Sequence, residues 1–146
     1  MSQILITGGT GFLGANTARA FAAKGIPVVV TSRKKRDPVG DALVAESDLI
    51  TVEKIDFSRP KEVFDLFSRY RFEGMVMLVH THQYARSRAD INAIYDITFN
   101  CLEGAAASGV KRCVLASSIV VYAGVIPPFT EEVPFPVQIS YEGKRG

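Results

Sequence analysis

A chain of 146 residues is long enough to enclose a sizeable core and short enough to be one domain. Its 47% hydrophobic and 22% charged residues lie near the averages of soluble globular proteins, which excludes disorder as a description of the whole chain. Lys plus Arg number 17 against 15 Asp plus Glu, and a net charge of +2 gives no reason to expect nucleic acid or an anionic membrane as the main partner. No apolar run approaches the ~20 residues that span a bilayer. Met1-Ser2-Gln3 leads directly into an apolar stretch with no basic leader, so a cytoplasmic protein is expected. The two cysteines, Cys101 and Cys113, lack metal-ligand spacing and are expected to be buried reduced thiols; no metal site is expected.

The first predicted strand is Ile4-Leu5-Ile6, and Thr7-Gly8-Gly9-Thr10-Gly11-Phe12-Leu13-Gly14 turns from it into a helix. At such a turn the helix's unpaired N–H groups and positive dipole end face outward, where a pyrophosphate can sit. Gly8 and Gly11 permit a tight turn and close approach of phosphate, and Gly14 lets the helix lie close to the strand. The spacing is G-x-x-G-x-x-G, one residue off the G-x-G-x-x-G dinucleotide fingerprint, and a ligand-free glycine turn is the alternative. A P-loop is disfavoured because no Lys-Ser or Lys-Thr pair follows.

The first helix is predicted over Phe12 to Lys24, stopped by Gly25, and the second strand over Ile26 to Thr31, with Pro27 near its start. Val28-Val29-Val30 is the continuous β-branched run of a strand buried on both faces. A basic loop from Ser32 to Arg36 follows, then a short helix over Asp41 to Ser47 and a third strand over Leu49 to Ile55, ending at Asp56. The next helix starts at Arg59-Pro60 with Ser58 as its cap, has Val63, Phe64, Leu66, Phe67 and Tyr70 on its apolar side, and ends at Gly74. Met75 to Val79 reads as a fourth strand, about Ala89 to Ser108 as a long helix, and Val110 to Ser117 as a fifth strand. Strands alternating with helices mean right-handed crossovers and a parallel sheet.

The fifth strand runs into Ser117-Ser118 and Val121-Tyr122, then the Pro127 to Glu132 loop, and finally Tyr141-Glu142-Gly143-Lys144-Arg145. With TGGTGFLG, Asp56, Leu78-Val79-His80 and Gly109-Val110-Lys111-Arg112 before it, this order resembles the extended branch of the short-chain dehydrogenase/reductase superfamily, the NAD(P)-dependent epimerases and dehydratases. The resemblance implies a Rossmann-type doubly wound α/β sheet spanning residues 1–146 as one NAD(P)-binding domain. Members of that branch continue for roughly as long again, so it also implies a chain truncated before the small C-terminal substrate lobe.

By the same resemblance Ser118 hydrogen-bonds the reacting oxygen and Tyr141 is the general acid/base. Arg145 stands where the family has a lysine; Lys144 lies one position short, and on a helix either approaches Tyr141. A phenol of pKa about 10 needs such positive charge to transfer protons near neutrality. Gly8, Thr10, Gly11, Phe12, Leu13 and Gly14 are the expected cofactor cradle, with Asp56 at the adenine edge, Phe57 beside it, and His80 and His82 lining the cofactor in place of the family's H-x-A-A.

Cofactor choice follows from the end of the second strand. An acid there would bind the ribose 2′-hydroxyl of NAD and repel the 2′-phosphate of NADP. Ser32 and Arg33 occupy that place, followed by Lys34, Lys35 and Arg36, so NADP is expected, with NAD possible. The resemblance also implies a small-molecule substrate such as a nucleotide sugar, and a homodimer of the complete protein in which the long helix packs against its mate. The alternative is a non-catalytic NADP-sensing regulator of the NmrA-like kind, which shares the glycine loop.

Overall fold

The computed structural model describes residues 3–79, 87–118, 122 and 130–132. The chain divides into two compact units, Met1–Leu115 and Ala116–Gly146. The first unit alternates β1 (Gln3–Thr7), α1 (Phe12–Ala22), β2 (Val28–Ser32), α2 (Pro38–Glu46), β3 (Ile50–Lys54), α3 (Pro60–Arg69), β4 (Phe72–Met77), α4 (Arg88–Ala107) and β5 (Arg112–Leu115). All five strands are parallel, in the order β3-β2-β1-β4-β5. The expected doubly wound Rossmann-like architecture is therefore present.

The period-2 alternation of strand side chains explains why the central strands are apolar throughout. Leu5 and Val29 point into a cluster with Val63, Leu66 and Phe67 of α3 and Ile97, Cys101 and Ala105 of α4. Their neighbours Ile6, Val28 and Val30 point to the opposite face, against Ala15 and Ala18 of α1 and Leu43 of α2. Leu5, Ile6 and all three valines are fully buried. Each such side chain contributes roughly 1.5–3 kcal/mol of hydrophobic stabilisation.

Several boundaries differ from the sequence reading. Strand β2 begins at Val28 rather than Ile26: the Ile26 N–H still returns to the Phe21 carbonyl of α1 at 3.1 Å, and the ladder opens with the Ile4 N–H on the Pro27 carbonyl, which pairs Ile4 with Val28. Helix α2 begins at Pro38 rather than Asp41: Asp37 caps it, accepting from the Gly40 N–H, and Pro38 occupies the first turn. Ser58 does not cap α3. Its N–H and hydroxyl both donate to Asp56, at 3.0 and 2.8 Å, forming a local turn, and the N-cap Arg59 makes no side-chain cap bond. Phe64 is 43% exposed, whereas Val63, Leu66 and Phe67 carry the packing. Gly74 lies inside β4, opposite Ile4 and Arg112, instead of ending α3. Tyr70 and Phe72 stack at 5.7 Å where the chain leaves the helix, so the strand starts earlier than its valine and methionine run suggests. Cys101 is buried as expected, but Cys113 is exposed, since β5 is the outermost strand of this sheet.

Candidate cofactor site

Strand order reverses at β1: β2 and β3 are laid down on one side of it, and β4 and β5 on the other. The crevice at the carboxyl ends of the strands at such a switch point is where open α/β sheets bind ligands. Thr7, the last residue of β1 and fully buried, pins the two sides together. Its backbone oxygen accepts the Leu78 N–H at 3.2 Å, and its hydroxyl oxygen lies 3.1 and 3.2 Å from the N–H groups of Leu78 and Val79. Across β2, Thr31 does the same for the glycine loop, its carbonyl accepting the Gly9 N–H at 3.0 Å and its hydroxyl the Gly8 N–H at 3.3 Å.

Gly8 adopts φ 65°, a left-handed conformation that glycine enters without steric penalty. The loop closes with the Gly11 N–H on the Gly8 carbonyl at 3.0 Å, and Gly11 is the N-cap of α1 with no side-chain cap bond. No side chain of the N-cap residue therefore covers the positive end of α1. A Cβ on Gly14 would stand 2.5 Å from the Gly8 oxygen and from the Gly9 Cα, so helix and loop touch there. A Cβ on Gly9 would lie 2.4 Å from Val30 Cβ. The sequence reading passed over Gly9, although the Gly-Gly doublet was its visible signal.

Gly8, Thr10 and Gly11 form one wall of a cavity of about 570 Å³. Thr31 and Ser32 at the end of β2 with Arg33 and Lys34 beyond it, Ile55, Asp56 and Phe57 after β3, and Leu78 and Val79 after β4 complete it. Seven expected cofactor residues are therefore brought together. Phe12 and Leu13 stand on the exposed first turn of α1, 85% and 62% exposed, and are not among the residues lining this cavity; Gly14 lies beneath the loop. Phe57 is 1% exposed and its ring belongs to the core. Ser118 is exposed and belongs to the second unit. His80, His82, Tyr141 and Arg145 lie outside the described residues.

The carboxylates around the cavity are held ionised. Burial opposes ionisation of Asp56, but the two bonds from Ser58 and the nearby charges of Arg33 and Arg59 outweigh it and lower its pKa. Asp37 behaves alike: burial pushes its pKa up, and hydrogen bonds from Ser32, Thr10 and the Gly40 N–H, with the charge of Lys34, bring it below the ordinary value. Asp37 and Asn100 were both missed as site residues. Asn100 of α4 donates its amide to the Phe57 carbonyl at 2.9 Å and so steadies the loop that carries Asp56. Nothing local in the sequence marks that contact, which spans 43 positions.

A family model described as "NAD dependent epimerase/dehydratase family" matches residues 4–143, nearly the whole chain. The chain belongs to that family. Among curated relatives of the family, a UDP-glucose 4-epimerase of Neisseria meningitidis serogroup B is 28% identical over 145 residues, covering 92% of this chain and 42% of its own length. The chain thus spans about two fifths of the curated relatives it matches. Among solved structures, the UDP-Glc/GlcNAc 4-epimerase of Campylobacter jejuni superposes with a TM-score of 0.79 at 24% identity, over 92% of this chain and 43% of its own. The UDP-glucose 4-epimerase of Bifidobacterium longum, solved with NAD+ and UDP, gives 0.78 at 21% identity, over 92% and 42%. At these identities the two structures establish the shared fold. Among the described residues, no helix is long and apolar enough to cross a membrane.

Proposed function

We propose that residues 1–146 are the dinucleotide-binding domain of an NADP-preferring oxidoreductase, epimerase or dehydratase that moves hydride at a hydroxyl-bearing carbon of a nucleotide sugar or similar small molecule. The carrying observation is the cavity at the switch point, where an uncapped helix N-terminus, a left-handed glycine and Asp56 converge. Membership of the epimerase/dehydratase family supports the reaction class, and the UDP-sugar names of its relatives support the substrate class. A bound nicotinamide supplies the hydride acceptor and donor. Ser118 hydrogen-bonds the reacting oxygen, and Tyr141 moves the proton, its phenol made more acidic by Arg145 or Lys144.

NADP preference is argued from this chain's own loop, in departure from the NAD+ held by the Bifidobacterium longum neighbour. Strand β2 ends in the neutral Ser32, and Arg33 and Lys34 stand exposed at the same cavity. Two free cysteines suit the reducing cytoplasm. In the complete protein, α4 pairs with a second copy in a homodimer. The NmrA-like regulator remains the second reading, favoured by arginine in place of the motif lysine at position 145.

The test is turnover of a UDP-hexose by the complete protein with NADP or NAD, for wild type and Tyr141→Phe. The variant is expected to lose ~100-fold or more in turnover, the scale of acid/base catalysis, with cofactor affinity unchanged. Full turnover in the variant would move the chemistry elsewhere. A wild type that binds cofactor but turns nothing over would establish the regulator.

A further inference from the structure

Ser32 ends β2 at the place that selects between the two dinucleotides, and its hydroxyl is already engaged. A serine hydroxyl has one proton and two lone pairs. The proton is donated to Asp37 Oδ2, and one lone pair accepts the Lys34 N–H at 3.2 Å. Only a lone pair is left to face the ribose end of the cavity. Behind it stands Asp37, a residue only 9% exposed; it accepts the Gly40 N–H at 3.3 Å through Oδ1, and the side chain of Thr10 in the glycine loop is close enough to favour its charged form. Ser32 and Thr10 both line the cavity, so Asp37 lies one layer beneath two of its walls.

A ribose 2′-hydroxyl and a 2′-phosphate meet this arrangement differently. The hydroxyl can donate its proton into the free lone pair of Ser32. A phosphate carries about −1.5 to −2 charges near neutral pH and offers acceptors only, so oxygen faces oxygen with a buried carboxylate behind. Asp37 also draws on the charge of Lys34, one of the two cations at this end of the cavity.

We propose that Asp37 is a specificity-determining residue: acting through Ser32, it favours a free ribose 2′-hydroxyl and opposes a 2′-phosphate, against the pull of Arg33 and Lys34. It does so from five positions beyond the end of β2, where an acid on the strand itself would ordinarily be sought. The inference rests on the dinucleotide reading of the cavity, and it makes the NADP preference a balance between one buried anion and two exposed cations.

Calorimetric titration of NADP and NAD against wild type, Asp37→Asn, Asp37→Ser and Asp37→Glu decides it, with circular dichroism confirming the fold of each. Asparagine is neutral and can donate its amide to Ser32, which frees the serine proton for phosphate. Serine is neutral and remains a good N-cap for α2. Both are expected to bind NADP about fivefold or more tightly than wild type does, the size of one partly screened charge, with NAD within twofold. Asp37→Glu keeps the charge and is expected to keep the wild-type ratio. Unchanged ratios in both neutral variants, equal weakening of both cofactors, or the same gain in Asp37→Glu would overturn the proposal and leave Asp37 as a brace of the loop. A wild type that binds neither cofactor would instead overturn the dinucleotide reading, and this proposal with it.

Discussion

Gly11 and Gly14 sit three residues apart in one motif and serve different ends. A Cβ on Gly11 would meet only the Gly8 carbonyl oxygen, at 3.2 Å, whereas one on Gly14 would lie within 2.8 Å of three backbone atoms of Gly8 and Gly9. Gly11→Val is therefore expected to fold with little change in melting temperature while losing dinucleotide binding, because its branch occupies the space of the pyrophosphate. Gly14→Val is expected to lose about 1–3 kcal/mol of stability or more, the range of overpacking, since backbone cannot yield as a side chain does. Thermal melts and calorimetry with NADP separate the two, and undiminished affinity in Gly11→Val would remove the cofactor from this loop. In the proposed reading, Arg33 carries the cofactor preference. Hydrogen bonds to charged groups contribute about 1.5–3 kcal/mol, roughly ten- to hundredfold in affinity. Wild type is expected to bind NADP at least tenfold more tightly than NAD, and Arg33→Ala to weaken NADP selectively. Titrations in which the variant weakens both cofactors alike would reduce the basic loop to a solvated turn.

At the scale of elements, α3 and α4 pack together over one face of the sheet, and a glycine sets their spacing. Replacing glycine by alanine inside a helix ordinarily gains about 1 kcal/mol. At Gly104 of α4 an added Cβ would fall 2.5 Å from Cδ2 of Phe67. That ring is 6% exposed and is held edge-on against Phe72, with centroids 5.5 Å apart at 87°. The packed ring must shift to admit the methyl, so the overpacking, about 1–3 kcal/mol, is expected to exceed the gain in helix propensity. Gly104→Ala is expected to lower the urea midpoint, with a net loss of about 1 kcal/mol. A raised midpoint would mean that the two helices separate freely. The other end of α4 is secured independently: Ser87 accepts the Asp90 N–H at 3.2 Å while Asp90 accepts the Ser87 N–H at 2.9 Å, a reciprocal capping box.

For the molecule as a whole, the outer face of α4 is the surface through which a homodimer is proposed to form. Ile97, Cys101 and Ala105 point into the core, while Ile91, Tyr95, Phe99 and Leu102 form a stripe at four-, four- and three-residue spacing that is 42–60% exposed. An apolar stripe of this extent marks an interaction surface, and a second copy of the same helix is its proposed occupant. The complete protein is expected to sediment as a dimer and Tyr95→Glu as a monomer, because the charge would be buried without a partner. A wild type that sediments as a monomer at micromolar concentration would exclude this pairing.

The alternation of strand and helix, the parallel sheet and the glycine turn were legible in the sequence because each rests on local chemistry: buried strands need unbroken apolar runs, and a tight turn needs glycine. The same reading placed Gly8, Thr10, Gly11, Ser32, Arg33, Asp56 and Phe57 at one site, and they do line one cavity. What stayed hidden depends on partners remote in the chain or on competing local bonds. Ser58 looked like a cap until Asp56 claimed its N–H and hydroxyl, and Gly74 looked like a helix stop until β4 was seen to pair with β1 and β5 around it. Ser32 looked free to bind phosphate because hydroxyl chemistry alone leaves the direction of its proton open. Only the folded chain, by bringing Asp37 back beneath Ser32 and Thr10, decides where that proton goes.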